Sequence, residues 1–490
     1  MSKQPNILLI LTDQQRFDTI GALNNPIIKT PNLDRICRSG VAFTSAYSPS
    51  PVCVPARCSL HYGQYPMHTG CYDNAWKMPT DRPSYADALA AAGYRTHAVG
   101  KCHFMPDKDA LRGFQQRQIQ EEVCARTSDD YTNLLEDEGW GELPEPHGVR
   151  GEMYYVPQVS QLPLKLHPTQ WVGDRSSTFI QEQKDAKKPW MLFSSFIHPH
   201  PPFAPPSPWH KLYRSYNMPL PHVPAEYESL LAYVNRHQNR YKGRDQGIDR
   251  RLLRNIKAHY YACISFVDYQ IGRILDSLEA SGQRDNTLIL FSSDHGELLG
   301  DFNSFGKRSM HDAAARIPML ASLPGRFEGG RTCNTPVNLI DFMPTMLAAA
   351  GVSTSNLKLD GEDLFAVQNG TSQRATVHSQ YRAAGTAIYT TVTSRWKYAY
   401  SAPDDKEFLF DRVSDPRETQ NYAGLPDSQR VLKDMREKTL RWLTEGGEAT
   451  AIEGGKFKQY PKLEVPVDPS EGLIYQDRPG YVLNLPGYTD

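Results

Sequence analysis

Four short apolar segments, Asn6–Leu11, Tyr94–Val99, Trp190–Phe196 and Thr287–Phe291, each break off into polar and ionisable residues. Short, β-rich or aliphatic runs of this kind, bounded by polar loops, read as buried strands. Helical patterns lie between them. From Ile256 to Leu278 the apolar residues Tyr260, Ile264, Val267, Ile271 and Ile274 recur at spacings of three and four, and Gly282 follows as a stop signal. Ser84–Ala92 is a shorter helix ending at Gly93. Strands alternating with helices predict an α/β fold with a large, mostly parallel sheet sandwiched by helices. Ligands of such sheets bind beyond the carboxyl ends of the strands. At those ends stand Asp13-Gln14, Lys101 and His103, His198 and His200, and Asp294-His295. Four separate strands thus deliver polar groups to one rim.

With 490 residues the chain has room for a large domain and a smaller one. Past about residue 375 the pattern changes. Thr386–Val392, Trp396–Tyr400 and Glu407–Asp411 read as antiparallel strands, and a helix is expected from Asp427 to Thr444. The division expected is a catalytic domain over 1–375, a small C-terminal α+β subdomain with an antiparallel sheet over 376–445, and an irregular tail over 446–490 that wraps the core or a second copy in a homo-oligomer. Residues 128–189 and 201–250 are polar and Pro-rich, and read as insertions shaping the mouth of a pocket.

A net charge of −1 argues against nucleic acid as the main partner, and no apolar run approaches membrane-spanning length. The N-terminal apolar run is short, ends on Asp13 and has no small-residue cleavage site after it, so it reads as a strand. The eight Cys show no framework spacing. Free thiols in a reducing, cytoplasmic setting are the expectation.

One local motif is more specific. In Cys53-Val54-Pro55-Ala56-Arg57, Pro55 sits where a helix begins, since its missing N–H is not needed there and its φ is already helical. Cys53 stands at the mouth of that helix and Arg57 one turn on. By itself the Cys could be a small buried residue.

With its partners, the motif resembles the signature of type I sulfatases in the alkaline phosphatase superfamily. The stretches that carry the resemblance are Asn6–Asp13, Thr30–Asp34, Cys53–Gly63, Gly100-Lys101-Cys102-His103, Pro199–Pro202, Ser293–Glu297 and Gly306-Lys307, with Ile317–Met319 and Asp411–Pro416 also fitting. The resemblance implies an alkaline-phosphatase-like fold and hydrolysis of a sulfate monoester. It implies that Cys53 is oxidised to formylglycine by a formylglycine-generating enzyme. One hydroxyl of the hydrated aldehyde would attack sulfur, and the other would expel sulfate by re-forming the aldehyde. Asp13, Gln14, Asp294 and His295, with the group at 53, would bind one divalent cation. Calcium is the usual ion of the family, with magnesium and manganese left open because Gln14 stands where relatives often carry a second Asp.

The same resemblance assigns the remaining groups. Arg57 would hold the formylglycine hydroxyl, and Lys101 and Lys307 would neutralise sulfuryl oxygens. His103 is the candidate base for hemiacetal breakdown and His200 the candidate acid for the leaving alcohol. Within Ile197-His198-Pro199-His200 the family pattern selects His200 over His198. Asn74 and His311 are candidates for binding substrate. Asn74 is equally a good turn residue, and His311 is equally a structural one. The basic run from Arg236 to Arg254 reads as a solvated face.

Two other readings stay open. A hydrolase of phosphonate monoesters or phosphodiesters on this scaffold would share the Asp-Gln pair, although such relatives tend to lack the pair at Lys101 and His103. A silent glycan-binding relative would lack turnover. The substrate is open between aryl, choline and carbohydrate sulfates, with a lean toward carbohydrate from the Tyr, Trp and Arg of the long loops.

Overall fold

The computed structural model describes residues 4–122, 128–143, 145–150, 154–241, 247–327, 329–467 and 487. Its centre is an eight-stranded sheet in the order Arg331–Cys333, Val41–Phe43, Met319–Ser322, Thr287–Ser293, Asn6–Thr12, Trp190–Ser195, Arg95–Gly100 and Gln116–Ile119. Every pairing is parallel except the two made by Met319–Ser322. The four expected strands form the adjacent middle. Ile7 through Leu11 are fully buried, as expected of a parallel strand covered on both faces.

Alternate residues of the first strand serve the two faces. Ile7, Leu9 and Leu11 pack in a core with Val54, Ala56, Cys58 and Leu60 of the helix Cys53–Tyr62 and with Phe342, Met343 and Met346. Leu8 and Ile10 pack in a second core with Trp171, Val172, Phe179 and Ile180, and with Val267, Ile271 and Ile274. This is a helix–sheet–helix sandwich.

The long helix runs Arg250–Ala280, with Asp249 capping it by accepting from the N–H groups of Arg251 and Leu252. The insertion expected over 128–189 contains a core helix instead, Pro168–Glu182, whose Trp171, Val172, Phe179 and Ile180 are buried against the sheet. Its apolar stripe is broken by Gln170, Asp174 and Arg175, which hides the period. Of the basic run, Arg236 pairs with Asp404, while Lys242 and Arg244 lie outside the described residues.

The C-terminal sheet has four antiparallel strands, Val377–Tyr381, Ile388–Val392, Trp396–Ser401 and Lys406–Asp411. The first of these was not foreseen. The helix Gln429–Glu445 covers the sheet through Leu432, Met435 and Leu443. Beyond it a short hairpin, Ile452–Glu453 with Lys456–Phe457, returns to the subdomain, and Phe457 stacks on Tyr400 with ring centroids 3.9 Å apart. Most of the remaining tail lies outside the described residues. No helix among the described residues is long and apolar enough to cross a membrane. The seven described cysteines are free thiols, and Cys124 is outside the described residues.

Candidate active site

The rim is built by strand ends. Asp13 follows Thr12, Lys101 follows Gly100, and Asp294 follows Ser293. Gly100 has φ +91°, and a Cβ there would lie 2.0 Å from the Ser195 carbonyl oxygen, so only glycine lets the chain turn this tightly into Lys101. Cys53 opens the helix Cys53–Tyr62, all of whose residues are buried. The preceding Val52 offers no side-chain cap. Asn74 supplies one from outside, its Oδ1 accepting from the Val54 N–H at 3.0 Å.

Around Cys53 the groups converge. Its Sγ lies 3.3 Å from His295 Nε2, 2.9 Å from Lys307 Nζ and 3.8 Å from Asp13 Oδ1. Burial pushes the thiol up to about 11; Asp13 adds to the rise while Lys307 and Lys101 oppose it. Asp13 is itself held well below the usual carboxylate range: burial opposes its charge, but Lys101, His200, Lys307 and Arg57 outweigh that. Lys101 Nζ, wholly buried, sits 2.5 Å from Asp13 Oδ2.

The donor set fits a divalent cation. Ligand atoms of Asp13, Cys53, Asp294 and His295 all lie within 4.8 Å of one another, and all four residues are buried. His295 Nδ1 is 3.0 Å from the Gly296 carbonyl, which fixes its proton there and turns the Nε2 lone pair toward the carboxylates. Burial holds this imidazole neutral by pushing its pKa down to about 4, against the pull of Asp294.

Arg57, Gln14 and His311 each make other contacts in the structure. Arg57 braces the carboxylates: its Nε meets Asp294 Oδ2 at 2.9 Å, its Nη2 reaches Asp13 Oδ2 at 3.4 Å, and its Nη1 meets the Lys101 carbonyl at 2.7 Å. It lies one turn beyond Cys53 on the helix Cys53–Tyr62. Gln14, expected as a cation ligand, turns its Oε1 to Lys307 Nζ at 2.7 Å and its amide N–H to Glu297. His311, a candidate for substrate, is fully buried and stacked on Phe302 with ring centroids 4.0 Å apart. Its Nε2 lies 3.1 Å from the Leu230 carbonyl and its Nδ1 3.4 Å from Glu418, so it serves packing.

His200 faces Glu122 and Tyr154. His198 turns away, its Nδ1 3.1 Å from Thr169 Oγ1. Burial pushes His200 well below its ordinary value, against the pull of Glu122. His103 is driven down likewise by burial and then by Lys101, and its buried Nδ1 has no partner among the described residues. Its neutral form suits a base.

Sequence reasoning missed Glu122, whose carboxylate meets Lys101 Nζ at 2.7 Å, Arg150 Nη2 at 2.6 Å and His200 Nδ1 at 3.4 Å. Its signal was positional. Glu122 lies just past the strand Gln116–Ile119, a fifth carboxyl end on the same rim. Glu297 was missed too: it accepts from Leu299 N–H at 2.9 Å, Gly306 N–H at 2.5 Å and Tyr155 OH at 3.2 Å, and so shapes the loop that brings Lys307 to Cys53.

This frame is matched by the sulfatase family profile over residues 5–352, and residues 300–445 match the C-terminal profile of N-sulphoglucosamine sulphohydrolase. The chain belongs to the sulfatase family. Membership makes it an enzyme of the sulfuric ester hydrolase class, with a site built for a divalent cation. An arylsulfatase of Clostridium perfringens is 29% identical over 493 residues, spanning 94% of this chain and 98% of that protein. A choline-sulfatase of Rhizobium meliloti is 30% identical over 478 residues, covering 92% of this chain and 89% of its own length. Among solved structures, a phosphonate monoester hydrolase of Agrobacterium radiobacter superposes with a TM-score of 0.78 at 25% identity, covering 93% of this sulfatase and all of that chain.

Proposed function

We propose that this sulfatase hydrolyses a sulfate monoester at sulfur, with position 53 matured to formylglycine and one divalent cation, calcium by family precedent, beside it. The observation that carries this reading is the setting of Cys53. Its thiol is buried against Asp13 and pushed up to about 11, so an unmodified thiol there would be a poor nucleophile near neutral pH. Yet Lys307, His295 and Asp13 all aim at it, as a reacting group requires.

The chain's own residues then have distinct tasks. Lys101 and Lys307 supply fixed positive charge for the sulfuryl oxygens in a water-poor site, where such charge counts most. Lys307 keeps its aim through Gln14, which is itself tethered to Glu297. Protonated beside Glu122, His200 would give a proton to the leaving oxygen from Nε2, the nitrogen that faces Tyr154 OH at 3.4 Å. His103, held neutral, would take a proton from a hydroxyl at position 53. Asp13, Asp294 and His295 would hold the cation, which when bound supplies Lewis-acid polarisation. The leaving group we infer is an aryl or carbohydrate alcohol.

A second reading, hydrolysis of a phosphonate monoester, is favoured by the fold likeness at TM-score 0.78 and by the Asp13-Gln14 pair. Lys101 and His103 favour sulfate. The test compares turnover of 4-nitrophenyl sulfate with that of a phosphonate monoester, on enzyme whose position-53 peptide is weighed by mass spectrometry. Sulfate should be the better substrate and the peptide should carry the aldehyde. Cys53→Ala should fold normally and lose turnover; more than about a tenth of wild-type activity in that variant would sink the mechanism.

A further inference from the structure

Glu122 stands between two arms of the site that the mechanism treats separately. One carboxylate oxygen meets Lys101 Nζ at 2.7 Å. The other meets Arg150 Nη2 at 2.6 Å and faces His200 Nδ1 at 3.4 Å. Arg150 is in turn roofed by the Tyr154 ring, 5.2 Å from its guanidinium carbon, and Tyr154 OH returns to His200 Nε2 at 3.4 Å. His200 Nδ1 also lies 2.7 Å from the Pro201 carbonyl. The imidazole is therefore held by its Nδ1 side, with Nε2 turned to the site.

An imidazolium in a buried site needs an anion nearby, or it sheds its proton. The other carboxylates of the site are engaged elsewhere: Asp13 and Asp294 by Arg57, Asp13 also by Lys101, and Glu297 by Gln14, Tyr155 OH and the N–H groups of Leu299 and Gly306. Among the described residues, Glu122 is the carboxylate that touches His200 itself. A plain structural reading would make Glu122 a tie between its own strand end and Arg150, with no bearing on which substrates react.

We propose that Glu122 is a positioning residue for leaving-group departure: it holds His200 with Nε2 aimed at the departing oxygen and keeps it paired as the proton donor. This rests on the sulfate-ester reading above. In that step the hydroxyl oxygen at position 53 would bond to sulfur as the S–O bond to the alcohol breaks, and the electron pair of the broken bond stays on the alcohol oxygen. The proton on His200 Nε2 forms the new O–H bond, and His200 regains a proton from water afterwards. Alkyl sulfates, whose alkoxide is a poor leaving group, depend on this proton. Aryl sulfates with a nitrophenolate leaving group depend on it little.

The test is a ratio. Glu122→Gln, with melting temperature as the fold control, should lower kcat/KM for an alkyl sulfate about tenfold more than for 4-nitrophenyl sulfate. In a His200→Gln background the same change should move that ratio by less than about twofold, because the acid it acts through is gone. Glu122→Asp should recover part of the ratio, and it replaces Glu122→Gln if the latter fails to fold. Equal losses on both esters would overturn the inference, as would a ratio that shifts just as far without His200. Wild-type enzyme that turns over neither sulfate, yet cleaves the phosphonate, would instead sink the sulfate reading and this inference with it.

Discussion

Asn74 Oδ1 caps the Val54 N–H at 3.0 Å, so a turn residue twenty positions downstream closes the helix that begins at Cys53. A helix with an unsatisfied first turn frays, and here fraying would move the reacting position itself. Asn74→Ala should lower unfolding free energy by about 1 kcal/mol in a denaturant titration. Turnover should fall further than that loss of stability explains, while Asn74→Asp, which keeps an acceptor, should restore most of both.

The cation site can be read without activity. Asp294 Oδ1 accepts from the Gln14 and His295 N–H groups at 3.1 and 2.9 Å, so Asp294→Asn keeps the shape but removes a charged ligand. Elemental analysis should show divalent metal bound at least about 100-fold more weakly. Wild-type enzyme should melt lower after chelation, and this variant should melt alike with and without chelator.

Lys397 is fully buried, its Nζ 2.7 Å from Asp312 Oδ1 and 2.8 Å from the Met310 carbonyl, with Glu418 also in contact. It joins the C-terminal sheet to the segment just after Lys307. Lys397→Met should destabilise the protein by about 3–5 kcal/mol, because it leaves two carboxylates buried without their cation. Chemical denaturation would measure it; a loss under 1 kcal/mol would contradict the account.

His61 is enclosed by Tyr85, Phe104 and Phe114, and burial lowers its pKa to about 3. An unfolded histidine titrates near 6.5, so the unfolded chain gains a proton that the folded one refuses. The stability this histidine allows is present above about pH 6.5 and is lost as pH falls from there toward 3. Unfolding free energy should therefore drop with acid, and His61→Phe should reduce the slope by about 1.4 kcal/mol per pH unit in that window.

The strands that deliver Asp13, Lys101, His200 and Asp294 were legible because buried parallel strands read as plain apolar runs with polar residues after them. The strands Val41–Phe43 and Arg331–Cys333 were not, being three residues each and too short to show a period. Gln116–Ile119 was hidden for another reason. It is an edge strand of Gln, Arg, Gln and Ile, polar along most of its length. Missing it meant missing Glu122 at its end. The roles of Arg57 and Gln14 depend on which way long side chains turn, and no spacing rule sets that.

Cys53 is 1% exposed once the fold is complete, so an enzyme carrying out the proposed oxidation would have to reach an unfinished chain. The groups that seal it, His295 and Lys307, come 242 and 254 residues later. At ordinary translation speeds that separation leaves roughly 10–50 s during which the thiol emerges from the ribosome before its lid exists. On the proposed maturation, the order of the polypeptide would thereby set its deadline.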